Sequence, residues 1–381
     1  MKNIIYDLIV IGGGISSCTF ISNLLKKGFK GKIAIIETGR NLGGRSSSRI
    51  SKKNNGWILN HGSPNFNIIN NSNNIYLNKF INKLLEKNII KKDDSLIKEI
   101  DENLNFSNNL TSEFCRGNIY SSTSSMGDLS KNILNLNNKN RQIDTYFQEL
   151  IIELSFQKNN WVLKSKERNI FCTKYLILSS NLLLHKRSLK ILNVDEIPIV
   201  KAIKNNINVD EIIHNLKYQK YIERINFLIY TRKDYQFKKI IKEDNLIYYL
   251  DKKAQAKYGL ERIIFQKQKN RSYGIVLHLK KENNFINELK KDNFEKELLH
   301  RFNKLFKQDP LINTLDNYED ISIMRWRASQ PSGLGVPLRL QICDEYNIAF
   351  CGDWFDITGF GRVEGAILSG LYLSEKITRF I

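Results

Sequence analysis

The chain opens on an apolar run that ends abruptly in glycine. Residues 5–11 are β-branched or aliphatic apart from Tyr6 and Asp7, the pattern of a strand buried on both faces. After Gly12-Gly13-Gly14 the period changes. In "ISSCTFISNLLKKG" the positions Ile15, Cys18, Phe20, Ile21, Leu24 and Leu25 fall near helical spacing, and Gly28 supplies a C-terminal stop. A second strand follows in "KIAIIE" and ends on Glu37. Strand, glycine turn, helix, strand and acid, in that order, form the context in which a GxGxxG spacing is informative. Gly12 permits the tight turn. Gly14 lets the backbone at the helix start, Ile15 and Ser16, approach a pyrophosphate whose charge the helix N-terminus opposes. Glu37 is placed to accept hydrogen bonds from the ribose hydroxyls of an adenosine. Ser17 stands at the third glycine position and is small enough to keep helix and strand close.

The far end of the chain is patterned as clearly. "NIAFCGDWFDITGFGRVEGAILSGLYLSEKI" reads as a strand from Asn347 to Cys351, a Gly352-Asp353 turn, a glycine-rich loop, and a helix from about Arg362. Its apolar positions are Val363, Ala366, Ile367 and Leu371. Between the two ends, strand signals return in "TYFQELIIEL", "NWVLKSK" and "YLILSS", the last running into an irregular "NLLLHKRS". From about residue 190 to 315, short strands such as "RINFLIYT", "RIIFQ" and "YGIVLHL" alternate with the helical "NFEKELLHRFNKLF". The tracts "NIINNSNNIY" and "NLNNKN" read as surface loops, and no internal repeat is visible.

At 381 residues the chain exceeds the size at which single cores usually divide, so two structural domains are expected. No apolar run approaches the roughly 20 residues needed to cross a bilayer, which predicts a soluble protein with no membrane partner. The run Leu8-Ile9-Val10-Ile11 is too short for the apolar core of a secretion signal, and the glycines would break a leader helix. Cys18, Cys115, Cys172, Cys343 and Cys351 are odd in number, far apart and without a CxxC pair. They indicate neither a metal site nor a disulfide framework, and reduced thiols in a cytoplasm are the simpler reading. The net charge of +20 points to an anionic partner, yet the lysines are spread among asparagines and isoleucines along the whole chain, which compositional drift explains as well. No aromatic-interleaved basic patch stands out, so nucleic acid is not expected.

The segment "ETGRNLGGRSSSR" narrows the cofactor. Gly39-Arg40 and Gly43-Gly44-Arg45 follow the acid, with Arg49 four residues on. The glycines let the chain run beside a dinucleotide, and the arginines can fork onto its phosphates. This arrangement resembles the flavin amine oxidase superfamily, in which the second strand is followed by a GRxxGGR segment lying along FAD, and it favours FAD over NAD. Within the superfamily the chain is most similar to the renalase-like branch. Three patches carry the similarity: "NHGSPNF" from Asn60 to Phe66, "RWRASQP" from Arg325 to Pro331, and "CGDWFDITGFGRVEGAILSG" from Cys351 to Gly370. Weaker echoes occur in "SSTSSMGDLSKNI" and "YGIVLHL".

The resemblance implies an α/β protein with a Rossmann-like FAD-binding domain that uses the chain discontinuously, in residues 1–66, 106–189 and 319–381. A mixed α+β substrate domain, from residues 67–105 and 190–318, would roof the flavin with its sheet. FAD is expected to be noncovalent, because no cysteine stands in a covalent attachment motif. By the same resemblance, Gly62 lies beside the flavin and the Ile151 backbone meets adenine. Gly352 and Asp353 would meet the ribityl chain and phosphate. The helix start at Arg362, Val363 and Glu364 would point at the pyrimidine edge, where negative charge collects on reduction.

Candidates for the substrate pocket are His61, Asn65, Trp326 and Trp354. Each has a plainer alternative, since a tryptophan is more often core and His61 can simply pack. Arg325 and Arg327 flank Trp326 in a strand and so share the opposite face, where phosphate contact and pairing with a structural acid are both open. There are two departures from the family pattern, the first of which bears on the substrate surface. Pro64 and Asn65 stand where renalases usually carry a glutamine and a tyrosine, and the loop before Gly361 is longer than the family's turn.

A flavin carries its own reactivity, so the protein has chiefly to place a donor carbon. His61, His185, His214, His278 and His300 stand in different sequence contexts, which argues against a hydrolytic triad and suits hydride transfer. The resemblance implies an FAD-dependent oxidase taking hydride from a small reduced substrate, such as a dihydronicotinamide isomer within a nicotinamide dinucleotide, onto flavin N5. Molecular oxygen would then be the oxidant and hydrogen peroxide the product. The alternatives are an amine, polyene or porphyrinogen oxidase of the same superfamily, or a non-catalytic binding protein on the same fold. Polyene or porphyrinogen work predicts an apolar channel. A binding protein would not need the set Glu37, Arg45, Asp353 and Arg362.

Overall fold

β1 (Ile5–Ile11) is covered on both faces: Leu8 and Val10 enter one core, Ile9 and Ile11 the other. A run with few polar interruptions is what that central place demands. The computed structural model describes residues 5–51, 56–69, 74–138, 143–204, 206–231, 245–268, 273–280 and 318–377. α1 (Ile15–Lys26) leaves the glycine turn and leads back to β2 (Ile33–Glu37), which pairs in parallel with β1. On the far side of β2 lies Ile143–Phe147, also parallel. Beyond β1 comes Ile170–Leu178 and then Ile348–Phe350, both parallel. The hairpin of Ile151–Gln157 and Asn160–Ser165 adds its antiparallel strands to the first half of Ile170–Leu178.

"TYFQELIIEL" reads as one strand, but the structure breaks it. Gln148 adopts φ 61°, and the amides of Gln148 and Glu149 donate to the carbonyl oxygens of Gly39 and Glu37 at 3.0 and 3.1 Å. The turn thus wraps the end of β2 and carries Ile151 toward the site described below.

The C-terminal helix Val363–Ile377 packs against α1 where Gly370 meets the Ser16 carbonyl; a Cβ on Gly370 would collide with that oxygen. Glycine there permits a close crossing, and it brings the starts of both helices to one cleft.

A second sheet has seven strands in the order Tyr318–Gly333, Gln219–Thr231, Tyr273–Lys280, Arg262–Lys267, Asn245–Leu250, Leu96–Ile100 and Phe106–Ser107. It is antiparallel except between Asn245–Leu250 and Leu96–Ile100. Pro331 falls in Tyr318–Gly333, the outermost strand among the described residues, where a missing N–H is tolerated. Side chains alternate with period two. Ile225, Phe227 and Ile229 enter one core, while Leu228 and Tyr230 pack toward Trp57 and Leu59 of the hairpin that follows the glycine-arginine segment.

Residues 67–105 divide between the two sheets. Helix Ile75–Glu86 has its apolar positions Leu77, Phe80, Ile81 and Leu84 on one stripe, and that stripe joins the core under the first sheet. Only the strands Leu96–Ile100 and Phe106–Ser107 of this region reach the second sheet. The helical segment at 293–306, with His300, lies outside the described residues. Among the described residues no helix is long and apolar enough to cross a membrane, and no cluster of His, Cys, Asp and Glu is arranged to hold a metal. All five cysteines are free.

Candidate functional site

Gly12 adopts φ 102° and donates its amide to the Ile36 carbonyl at 2.8 Å, which turns the chain off the end of β1. Gly14 caps α1, and a Cβ built on it would meet nothing within 4 Å. The space before this helix is therefore open. Its first internal hydrogen bond runs from Cys18 N–H to Gly14 O at 3.1 Å, so the amides of Ile15, Ser16 and Ser17 have no partner inside the helix. Gly43 donates to the Gly13 carbonyl at 2.9 Å and lays the glycine-arginine segment over the turn. Glu37 staples the same region: Oε2 accepts from Gly13 N–H and Oε1 from Gly39 N–H, each at 2.6 Å. Oε1 also accepts from the Thr38 hydroxyl at 3.3 Å, whereas Oε2 keeps a further lone pair for a ligand hydroxyl.

These groups line one cleft of about 1990 Å³. Single-ligand pockets usually span roughly 300–1,000 Å³, so there is room for an extended dinucleotide together with a second molecule. Gly12, Gly14, Ile15, Ser16, Glu37, Arg40, Gly44, Arg45, Arg49, Gly62, Ile151, Gly352, Asp353, Arg362 and Val363 all border it, as do His61, Asn65, Trp326 and Trp354. Glu364 does not. It is fully buried, with Oε1 accepting from Ile69 N–H at 3.2 Å and Oε2 from Arg362 at 3.3 Å. Each helical residue turns by about 100°, so Val363 and Ala366 share the cleft face and Glu364 is rotated away from it.

Arg45 Nη2 donates to Asp353 Oδ1 at 2.5 Å, an ion pair between segments from opposite ends of the chain. Partial loss of hydration inside the cleft opposes the Arg45 charge, although the side chain stays 39% exposed, and Asp353 outweighs that effect, so the pKa is raised. Arg187, which the sequence did not single out, borders the cleft too. Its guanidinium lies 4.1 Å from the Tyr221 ring centroid, and Nη2 donates to Asn181 Oδ1 at 2.8 Å. Burial lowers its pKa, with Arg45 adding to the effect. Close packing fixes the surrounding backbone. A Cβ on Gly62 would collide with the Arg45 carbonyl, and one on Gly352 with the Trp354 ring. Trp354 itself is buried, stacks on Phe355 at 4.2 Å and donates Nε1–H to the Cys351 carbonyl at 3.2 Å, so it shapes the Gly352-Asp353 turn as well as bordering the cleft.

Opposite this floor the second sheet presents a polar row. Asn226, His278 and Arg262 sit directly across from one another on three strands, and Tyr249 continues the row on a fourth. All four border the cleft. Arg262 Nε donates to His278 Nδ1 at 2.8 Å, and Asn226 donates to the His61 carbonyl. Arg224 is gripped by Glu261 through contacts of 2.5 and 2.8 Å. His61 stacks on Trp326 at 5.4 Å. Asn65 is tied to Asp93, Nδ2 to Oδ2 at 2.5 Å. Arg325 and Arg327 are exposed and do not border the cleft.

Four buried atoms in this region, His61 Nδ1, Asn226 Oδ1, His278 Nε2 and Trp326 Nε1, have no hydrogen-bond partner among the described residues. Buried polar atoms are nearly always bonded, so their concentration on one wall marks a place for a ligand. Burial, helped by Arg49, pushes the His61 pKa down to about 4. Burial also drives His278 well below its ordinary value, with Arg262, Arg224 and His61 adding to the effect. Both rings are neutral at pH 7. The histidines stand in separate sequence contexts, but the fold links His61 to His278 through Asn226. The missed signal was polar residues at inward positions of apolar strands, Arg224 and Asn226 in "RINFLIYT" and His278 in "YGIVLHL". Arg187 lies in an irregular segment and had no such signal.

Residues 10–84 match the sequence profile of the NAD(P)-binding Rossmann-like domain. No curated protein matches the sequence significantly. Among solved structures, the chain is similar to a protein from Exiguobacterium sp. 255-15 provisionally named a protoporphyrinogen oxidase, with TM-score 0.62 and 11% identity over 97% of this chain and 98% of that one. It is also similar to a triple variant of putrescine oxidase redesigned in cofactor binding, with TM-score 0.65 and 11% identity over 98% and 99% of the two chains. A single variant of putrescine oxidase gives TM-score 0.64 and 10% identity over 99% and 100%. The likeness is one of fold. This chain has a Rossmann-like dinucleotide-binding domain and a second, roof-forming sheet, the full-length architecture of these oxidases.

Proposed function

We propose that the cleft binds FAD noncovalently and that the protein is an FAD-dependent oxidoreductase. One observation carries this reading: Glu37 at the end of β2 and the Val363 start of the C-terminal helix, far apart in sequence, border one continuous cleft whose phosphate end is open before Gly14. The residues that would hold the adenosine and pyrophosphate are Glu37, the Ile15 and Ser16 amides, Arg45 and the Ile151 backbone. Gly62, Asp353, Arg362 and Val363 would hold the ribityl and isoalloxazine parts. FAD held there would supply the hydride acceptor, with oxygen as its oxidant. The chain's own part is placement and exclusion of water, with His61 and Trp326 forming a wall against which a donor carbon is held. Neutral His61 and His278 are not proton donors at pH 7, which suits hydride transfer.

Within this class we infer a small reduced substrate, with a dihydronicotinamide isomer as first candidate because of the renalase-like patches. A second reading, an amine or porphyrinogen oxidase, is supported by the fold shared with putrescine oxidase and the Exiguobacterium protein. Among the described residues the cleft is bordered by eight basic side chains and four acidic ones, an excess that suits an anionic nucleotide better than a cationic diamine. Anaerobic mixing separates the readings. Dihydronicotinamide nucleotides reduced at the 2 or 6 position should bleach the flavin absorbance, and putrescine should not. Absence of bleaching by the nucleotides at saturation removes the first reading, and bleaching by putrescine supports the second.

A further inference from the structure

We propose that Arg262 anchors an anionic group of the substrate, a carboxylate or a phosphate, so that the substrate is a small organic anion held by its charged end against the roof. This rests on the reading of the cleft as a cofactor and substrate site, and it adds a recognition element to it.

Arg262 is only 8% exposed. Removing a guanidinium from water is costly unless a counter-charge replaces the lost hydration. Among the described residues, no carboxylate lies within ion-pair distance of it. The nearby acids are engaged elsewhere. Glu261 grips Arg224 at 2.5 and 2.8 Å. Glu99, the next member of the row after Tyr249, accepts from the Thr111 amide and hydroxyl at 3.0 and 2.8 Å. What surrounds Arg262 instead is neutral: His278 Nδ1 at 2.8 Å, the Phe114 ring at 5.5 Å and the Tyr249 ring at 5.9 Å. Aromatic faces attract a cation but leave its net charge in place.

His278 supplies the second, independent observation. Because its Nδ1 accepts from Arg262, the neutral ring carries its proton on Nε2. That N–H is buried and has no partner among the described residues. A buried cation without a counter-ion and a buried donor without an acceptor, bonded to each other on a cleft wall, are both satisfied by one anion. Among the other cleft arginines, Arg224 already has its carboxylate, Arg45 has Asp353, Arg362 has Glu364, and Arg49 is exposed. Arg187 also has no carboxylate within ion-pair distance among the described residues, but it is bonded to Asn181 and stacked on Tyr221 rather than coupled to an unpaired buried donor such as His278 Nε2–H.

Calorimetric titration of the purified full chain tests this with three probes of similar shape: benzoate, phenyl phosphate and neutral benzamide. One of the anions should bind at least about tenfold more tightly than benzamide, and whichever it is assigns carboxylate or phosphate. Arg262→Gln should abolish the preference. Arg262→Lys should keep only part of it, because the fork is lost. Arg168→Gln, an exposed arginine that does not border the cleft, should leave it intact. The proposal is overturned if wild type does not prefer either anion, or if Arg262→Gln retains the preference. Should Arg262→Gln fail to fold, an unchanged preference in Arg262→Lys overturns it. A colourless protein that still prefers the anion would sink the flavin reading alone, whereas a yellow protein without the preference would sink this one alone.

Discussion

The floor of the cleft is built on backbone amides bared by glycines, with Glu37 and Arg45 beside them, whereas the roof presents side chains buried at inward positions of strands. The floor around Gly12, Gly14 and Gly44 holds its shape through main-chain hydrogen bonds and the bonds of the Glu37 carboxylate to the Gly13 and Gly39 amides, and its charged side chains Arg45 and Asp353 are already paired with each other. The roof is the reverse. Asn226, His278 and Arg262 are each at most 8% exposed, and Asn226 Oδ1 and His278 Nε2 have no hydrogen-bond partner among the described residues. A floor built on backbone suits a ligand common to many proteins, while a roof built on side chains can be changed residue by residue to suit one substrate.

The contrast is broken most directly at the roof. Arg224→Met removes both contacts to the buried Glu261 carboxylate, at 2.5 and 2.8 Å, and should destabilise the protein by about 3–5 kcal/mol. Urea denaturation measures this, and a loss below about 1 kcal/mol would mean that the roof does not depend on its buried charges.

A slightly smaller effect follows from His61. Its folded pKa of about 4 lies below the ordinary 6.5, so as pH falls the unfolded chain takes up the proton first. The stability is fully present above pH 6.5 and is lost progressively down to about 4, with a drop on the order of 3 kcal/mol. His278 acts in the same direction. Urea midpoints measured across this window should fall with pH, and His61→Gln should make the fall shallower. An unchanged slope in that variant would show that the ring is not held neutral by burial.

The same contrast explains what could be read in the sequence. The glycine turn, Glu37, the arginine segment and the C-terminal helix were legible because φ requirements and close approach leave residue-type signatures at fixed spacing. The roof residues had no spacing to betray them. They come from strands separated by up to about fifty residues, and only the pairing of Asn226 with His278 and of His278 with Arg262 brings them into one row. Strand existence was readable in "RINFLIYT" and "YGIVLHL", but the inward face was not, because both faces of this sheet are buried. The break at Gln148 was hidden for a different reason. It is imposed by hydrogen bonds to the end of β2, a tertiary contact that overrides a continuous β pattern.

The smallest expected change in stability gives the sharpest test of the floor. A methyl at Gly14 meets no protein atom within 4 Å, so Gly14→Ala should shift stability by less than about 1 kcal/mol while filling the space proposed for the pyrophosphate. Acid-extracted FAD per chain is the measurement that bears most directly on the account. Wild type should release close to one FAD per chain, and Gly14→Ala should be folded and nearly free of it. A colourless wild type that takes up no added FAD, or a Gly14→Ala protein that is as yellow as wild type, would contradict it.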